Sequence, residues 1–450
     1  MTILQWQWLL LVSLSAIMFW LAPKAKTIAQ FFSAENKNGS KPGLFLLTSS
    51  LVISWIFAKS ITNAANLGSA FGIVGGVAYA GYYGSFIVAG LVIYNMRTQG
   101  GFESIHQFLQ QKFGRTALLL FSLLIAFRLF NEVWSNTMVI GSYFGDAGSF
   151  EYYVSILVFT ALTLAYVLKG GMSSSLLTDA IQMVLFAVLL AVILMVLLPS
   201  DVHPLTDYFQ SGTWSAAQGL NMLFVALIQM FSYPFHDPVM TDRGFISAPK
   251  TTRRAFILAG IIGAACIVLF SFVGVYAQLN GLEGQAPVVV AQTLGTGLML
   301  AMNLIMITSA ASTLDSTFSS VAKLTVIDLK LAQKIGGITA GRLAMIVAAI
   351  AGTVPVFLSA EILSATTISG TMVIGLAPPF LFWKMKVPRL SFVLSVVGGI
   401  AFGVLLALDL YPITWNFTEG KYAALLSVNI IGTAVCFLLF LIPKWIKRNG

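Results

Sequence analysis

Ser309, Ser312, Thr313, Asp315, Ser316, Ser319 and Ser320 crowd one apolar stretch of the chain. On a helix, at about 100° per residue, they cover an arc of roughly 160°. Hydroxyls with one carboxylate can replace the water shell of a hard cation such as sodium, which prefers several oxygen ligands. The same side chains can instead bond back to their own helix and let neighbours pack closely. Spacing alone leaves both readings open. Other ionisable residues interrupt apolar runs as well: Lys59, Arg128, Glu132, Asp179 and Asp237. Arg128 and Glu132 stand one helical turn apart, which suits an intrahelical ion pair or a role at a gate or solute site. Lys59 shares a face with Asn63 and Asn66. It could pair with Asp179 or Asp315, attract an anionic solute, or act as a surrogate cation.

The elements that carry these residues belong to a membrane protein. Of 450 residues, 58% are hydrophobic and 9% charged, and mean hydropathy is +0.89. A soluble domain needs far more charge to cover its surface. Apolar runs predict spans at 6–22, 44–69, 72–96, 116–143, 152–168, 174–198, 218–238, 254–279, 294–322, 340–359, 363–384, 389–408 and 422–443, thirteen in all. The first is read as a retained span, because no basic residue precedes it. A charge in mid-bilayer costs on the order of 3 kcal/mol or more, so the six ionisable residues should face the protein interior.

Net charge is +9, but this excess does not point to nucleic acid. With the N-terminus outside, all the Lys and Arg residues except Lys421 and the two inside spans, Lys59 and Arg128, fall on the cytoplasmic side. Asp146, Glu151, Asp201, Asp207, Glu283, Glu361, Asp409 and Glu419 fall outside. This alternation is the positive-inside pattern, and it places the C-terminus in the cytoplasm. Residues 101–115 read as a short amphipathic helix on the inner face. Cys266 and Cys436 lie in apolar runs and the three histidines are scattered, so neither a disulfide framework nor a metal cluster is expected.

Several segments resemble the sodium/solute symporter family. They are residues 26–36; Gly170-Gly171 followed by Thr178-Asp179-Ala180-Ile181-Gln182; Ser312-Thr313-Leu314-Asp315-Ser316; residues 108–114; and residues 237–243. The resemblance runs from about residue 24 to 390. It implies an all-α integral membrane fold of about thirteen helices in one polytopic domain. A leading helix at 6–22 precedes two inverted five-helix repeats at 44–198 and 218–384, and two trailing helices follow at 389–443. It also implies that core helices 1 and 6 unwind at mid-membrane, where carbonyls and helix ends can bind ions. The candidate breaks are near Ser60–Gly68 and near Ser232–Phe235, where Pro234 removes a helical hydrogen bond.

By the same resemblance, a sodium ion would be held by the carbonyls of Ser60, Asn63 and Ser309 and the hydroxyls of Ser312 and Thr313. A possible second cation site would use Asp179, Ser312 and Ser316 with Asp315 beside them. The solute would lie against Lys59, Asn63, Asn66, Tyr233 and His236. Lys59 departs from the family pattern, and an unscreened charge there would repel sodium.

These readings imply sodium-coupled symport of a small organic solute by alternating access, in a monomer in the cell membrane. One alternative is proton coupling, with Lys59 replacing or modulating the cation site. Another is a transporter-like membrane sensor, which expects an attached signalling domain that the sequence does not show. An enzyme would need a nucleophile, acid or metal constellation. His236-Asp237 is the one adjacent His–acid pair, and it reads as structural.

Overall fold

In the computed structural model the described residues are 2–198, 203–331, 333–358 and 370–449. Asp201, Glu361 and the first part of the predicted 363–384 span lie outside them. The described residues are helical, with no strand among them. In chain order the main helices are α1 (Ile3–Leu21), α2 (Ile28–Ser33), α3 (Leu44–Trp55), α4 (Ala58–Phe71), α5 (Ile73–Gly100) and α6 (Ile105–Phe144). Next come α7 (Phe150–Gly170), α8 (Met172–Leu197), α9 (Leu220–Gln229), α10 (Pro238–Arg243), α11 (Pro249–Leu279) and α12 (Ala286–Thr293). The last are α13 (Thr296–Lys323), α14 (Gly337–Thr353), α15 (Gly370–Leu381), α16 (Leu390–Ala407) and α17 (Ala423–Asn449).

Among the described residues, ten helices are long and apolar enough to cross a membrane, or eleven if the bent pair α3–α4 is one span. The shorter apolar helices α9 and α15 stand where the sequence reading placed the seventh and eleventh spans. The chain is a multi-pass membrane protein. It forms two compact units, one of residues 1–76, 129–211 and 265–360, the other of residues 77–128, 212–264 and 361–450.

In the first unit, α8 has its polar residues inside. Asp179 and Gln182 are buried, whereas Val184, Val188 and Met195 are exposed. This inversion of the soluble pattern is what a hydrocarbon solvent demands. Gly171, at φ +57°, makes the turn from α7 into α8. A Cβ there would strike the Phe31 carbonyl, so Gly171 also lets α2 lie close against the turn.

The break in the span read at 44–69 differs from the sequence reading. It falls at Ile56–Phe57, with a bend of 60° between α3 and α4. Phe57 is extended (φ −77°, ψ 160°) and begins α4 without a side-chain cap. Gly68, at the end of the stretch where the sequence reading put the break, has another role. A Cβ at Gly68 would run into the Ser271 carbonyl, and one at Gly274 into the Ala65 carbonyl. These small residues bring α4 and α11 into backbone contact, a common device between membrane helices. The turn itself is at Gly72 (φ +61°).

In the second unit, Gly114 (φ +82°) kinks α6 and separates residues 105–113 from the span. Ile105, Phe108, Leu109 and Phe113 are buried there and Gln110 and Gln111 exposed, so the expected amphipathic segment is present. Phe108 packs on Phe380, with ring centroids 5.8 Å apart. The span read at 218–238 breaks where Pro234 predicted. α9 ends at Gln229, Tyr233–Phe235 form a 3-10 turn, and Asp237 caps α10 through the amides of Val239 and Met240.

Candidate functional site

The first unit contains a buried cluster of oxygen atoms where α3, α7, α8 and α13 meet. Each helix brings hydroxyl or carboxyl groups to one face. Ser50 and Ser54, Ser175 and Asp179, and Ser312 and Ser316 are each one helical turn apart, so both members of a pair point the same way. Asp179 and Asp315 are wholly buried. Asp179 accepts from Ser312 Oγ at 2.5 Å, from Ser316 Oγ at 3.3 Å and from Ser50 Oγ. Asp315 accepts from Ser175 Oγ and Thr178 Oγ1, both at 2.8 Å, and from Tyr166 OH at 2.9 Å.

Ser175 and Ser316 bridge the two carboxylates. Ser175 Oγ is 3.4 Å from Asp179 Oδ2, and Ser316 Oγ is 3.4 Å from Asp315 Oδ1. Each hydroxyl carries a single proton, so it can donate to only one acceptor at a time. The shorter distance directs the Ser175 proton to Asp315. Two adjacent buried carboxylates repel each other strongly in a low-dielectric medium, and a cation or a proton relieves this. The donor set of carboxylates and hydroxyls, with no thiol or imidazole, suits a hard cation. Among the described residues, no group of three or more His, Cys, Asp and Glu could hold a metal.

Beside this cluster, Thr313 Oγ1 donates to Ser309 O at 3.1 Å and approaches Ser54 O at 3.4 Å. Ser54 Oγ meets Ser316 Oγ at 3.0 Å. Ser54 lies in the last turn of α3, whose carbonyls have no helical partner ahead of them. Ser309 Oγ is buried without a hydrogen-bond partner. Ser309, Ser312, Thr313, Asp315 and Ser316 of α13 and Asp179 of α8 therefore come together.

Ser60 and Asn63 do not lie at the break. Both are inside α4, because the chain unwinds before them at Ile56–Phe57. The α3 carbonyl that meets α13 is that of Ser54. Lys59 is buried at the start of α4, where the helix dipole disfavours a cation. Asn66 Oδ1 accepts from Ala286 N at 3.0 Å, the first amide of α12, so it serves as a cap.

The remaining predicted residues, Tyr233 and His236, lie in the second unit. His236 Nδ1 is 2.6 Å from Tyr233 O, and His236 Nε2 is buried without a partner. The Arg128 guanidinium stands 5.6 Å over the Tyr233 ring and 3.5 Å from Asp237 Oδ2, both charges being buried. Glu132, in the first unit, accepts from Asn136 Nδ2 at 2.8 Å. Next to the helix 6 break, Tyr82 OH donates to Gln229 Oε1 at 3.0 Å and Gln229 Nε2 donates to Asn429 Oδ1 at 2.8 Å. Asn429 Nδ2 donates in turn to Thr371 Oγ1 at 3.1 Å. Sequence reasoning missed this amide chain, as it missed Ser50, Ser54, Tyr166 and Ser175. The one-turn pairing of Ser50 with Ser54 inside an apolar run was the available signal for α3. Nothing local marked Tyr166 or Asn429.

Among solved structures, the chain is similar to a Na+-coupled sialic acid symporter in a substrate-bound outward-open state. The TM-score is 0.74 at 15% identity, over 98% of this chain and 97% of that one. It is also similar to Mhp1, a nucleobase-cation-symport-1 family transporter in a closed conformation with bromovinylhydantoin bound. There the TM-score is 0.59 at 11% identity, over 94% of this chain and 96% of that one. At these identities the likeness is one of fold, and the fold is that of a membrane transporter. No curated protein matches the chain. Residues 38–233 match the sequence model of the sodium:solute symporter family, the same family that the motifs at Gly170–Gln182 and Ser312–Ser316 resemble.

Proposed function

We propose that this secondary transporter moves a small organic solute in symport with sodium, by alternating access. The observation that carries the proposal is the oxygen cluster around Asp179. Asp179, Ser50, Ser175, Ser312 and Ser316 supply one carboxylate and several hydroxyl oxygens in a buried site, the chemistry a monovalent hard cation requires. A second position is formed by Ser309, Ser312 and Thr313 with the carbonyl of Ser54. Sodium bound there joins α13 to α3, the first half of a broken helix. A cation that binds one conformation better shifts the population toward it, and the solute gains affinity by the same factor.

The rest of the reading follows the family pattern. It has inverted repeats at 44–198 and 218–384, the N-terminus outside, the C-terminus in the cytoplasm, and a functional monomer in the cell membrane. In the second unit Tyr233 and His236 are the solute-side candidates, with Arg128 added by its place over Tyr233; in the first unit the candidates by family resemblance are Lys59, Asn63 and Asn66.

The test is direct. Purified protein should show a rise in thermal stability with sodium that potassium and choline do not reproduce. In sealed liposomes, an inward sodium gradient should drive accumulation of at least one solute from a panel of acids, sugars and amino acids. Absence of both effects refutes the proposal.

A second reading is favoured by one observation, the additional carboxylate Asp315 next to Asp179. A pair of this kind can hold a proton in place of a metal ion. Uptake that persists in sodium-free buffer and follows an imposed pH gradient would select this reading.

A further inference from the structure

In the second unit, a cleft of about 340 Å³ is lined by Lys386, Val387, Pro388, Lys444 and Lys447. Three of its five residues are cations, and it contains no carboxylate. The lysines come from two places in the chain: Lys386 precedes α16, and Lys444 and Lys447 stand three residues apart near the end of α17. None has an acidic partner among the described residues. Lys386 and Lys447 are exposed and Lys444 is half-buried. Three like charges around one concavity repel each other, and an anion seated between them removes the repulsion.

The position of the cleft narrows the choice of anion. The α16 span begins at Leu390, and the last span ends at Lys447, so the cleft lies where one span enters the bilayer and another leaves it. Beside it are exposed apolar side chains: Leu390 at 55%, Trp445 at 52% and Ile446 at 69%. Tryptophan at such a boundary sits among lipid headgroups. A ligand with a phosphate at one end and hydrocarbon at the other meets both surfaces. We propose that this cleft binds the headgroup of an anionic phospholipid, with the acyl chains lying along Leu390 and Ile446. Basic pockets between membrane helices recognise anionic headgroups in this way.

The experiment uses the full chain purified in a mixture of phosphatidylglycerol and phosphatidylcholine, with bound lipid counted by native mass spectrometry. The wild type should retain phosphatidylglycerol preferentially. Each lysine near an anionic surface contributes roughly a fivefold factor, so K444Q should lower retention about fivefold and the triple variant K386Q/K444Q/K447Q by on the order of a hundredfold. The lysine-to-arginine triple should keep the lipid. A control triple in another basic loop, K24Q/K26Q/K37Q, should also keep it. Equal retention of the two lipids by the wild type overturns the proposal, as does equal loss in the control triple. Displacement of the lipid by inorganic phosphate at millimolar concentration overturns the assignment to lipid in favour of free phosphate. If the triple variant does not fold, K444Q decides alone, and unchanged retention in it counts against the site.

Discussion

The two units solve the problem of buried polarity in opposite ways. In the first, two carboxylates lie together among hydroxyls, so the cluster is rich in negative charge. In the second, Arg128 stands against Asp237, and Tyr82, Gln229, Asn429 and Thr371 form a neutral chain in which each amide is both donor and acceptor. A neutral, satisfied network rigidifies its surroundings and needs nothing from outside. Buried acid is stable only when a positive charge from the protein, a proton or a bound cation completes it. The contrast separates the part that should respond to ions from the part that should hold shape.

The sharpest way to break the contrast is Asp179→Asn. Loss of the carboxylate that accepts from Ser50, Ser312 and Ser316 should reduce sodium-driven uptake at least a hundredfold and remove stabilisation by sodium, read as uptake rate and melting temperature. An effect below tenfold would mean the cluster is ordinary packing. Asp315→Asn should be smaller, because Asp315 accepts from Ser175, Thr178 and Tyr166 and stands beside the proposed sodium position rather than in it. The half-maximal sodium concentration should shift by about tenfold, a change in binding of roughly 1.4 kcal/mol. A rise would mark Asp315 as a ligand, and a fall would mark it as a competing charge.

Thr313→Ala removes one hydroxyl, and a charge-assisted contact is worth about 1.5–3 kcal/mol, so half-maximal sodium should rise about tenfold with the maximal rate kept. Unchanged sodium dependence would remove Thr313 from the site. At the other end of the scale, Asn429→Ala leaves Gln229 Nε2 buried without its acceptor, at a cost of about 1–3 kcal/mol. The melting temperature should fall by a few degrees while the half-maximal sodium concentration stays put. A sodium shift in this variant would join the two polar regions and end the contrast drawn here.

Much of the α13 site was legible because its residues are local. Ser309 through Ser320 sit on one helix, and a 100° step places them on one face whatever the rest of the chain does. Gly170-Gly171 and Pro234 were legible for a similar reason, since backbone freedom and a missing amide act where they stand. The break in core helix 1 was not. Trp55-Ile56-Phe57 contains neither Gly nor Pro, and Gly68, where the sequence reading ended the candidate break, serves a helix–helix contact. The helix parts at a point that residues far away in sequence help to hold, such as Thr313 approaching the Ser54 carbonyl.

Composition, the apolar runs and the alternation of basic loops determined without any coordinates that this chain is a multi-pass helical membrane protein. The cost of burying charge in hydrocarbon dictated that its few ionisable residues face inward. Which of them meet was decided by the tertiary structure alone. The pairing of Asp179 with Asp315 through Ser175, the tie from Gln229 to Asn429 and the place where α3 ends all depend on helices remote in the chain. A periodic pattern gives the direction in which a side chain points, and only packing supplies what stands opposite.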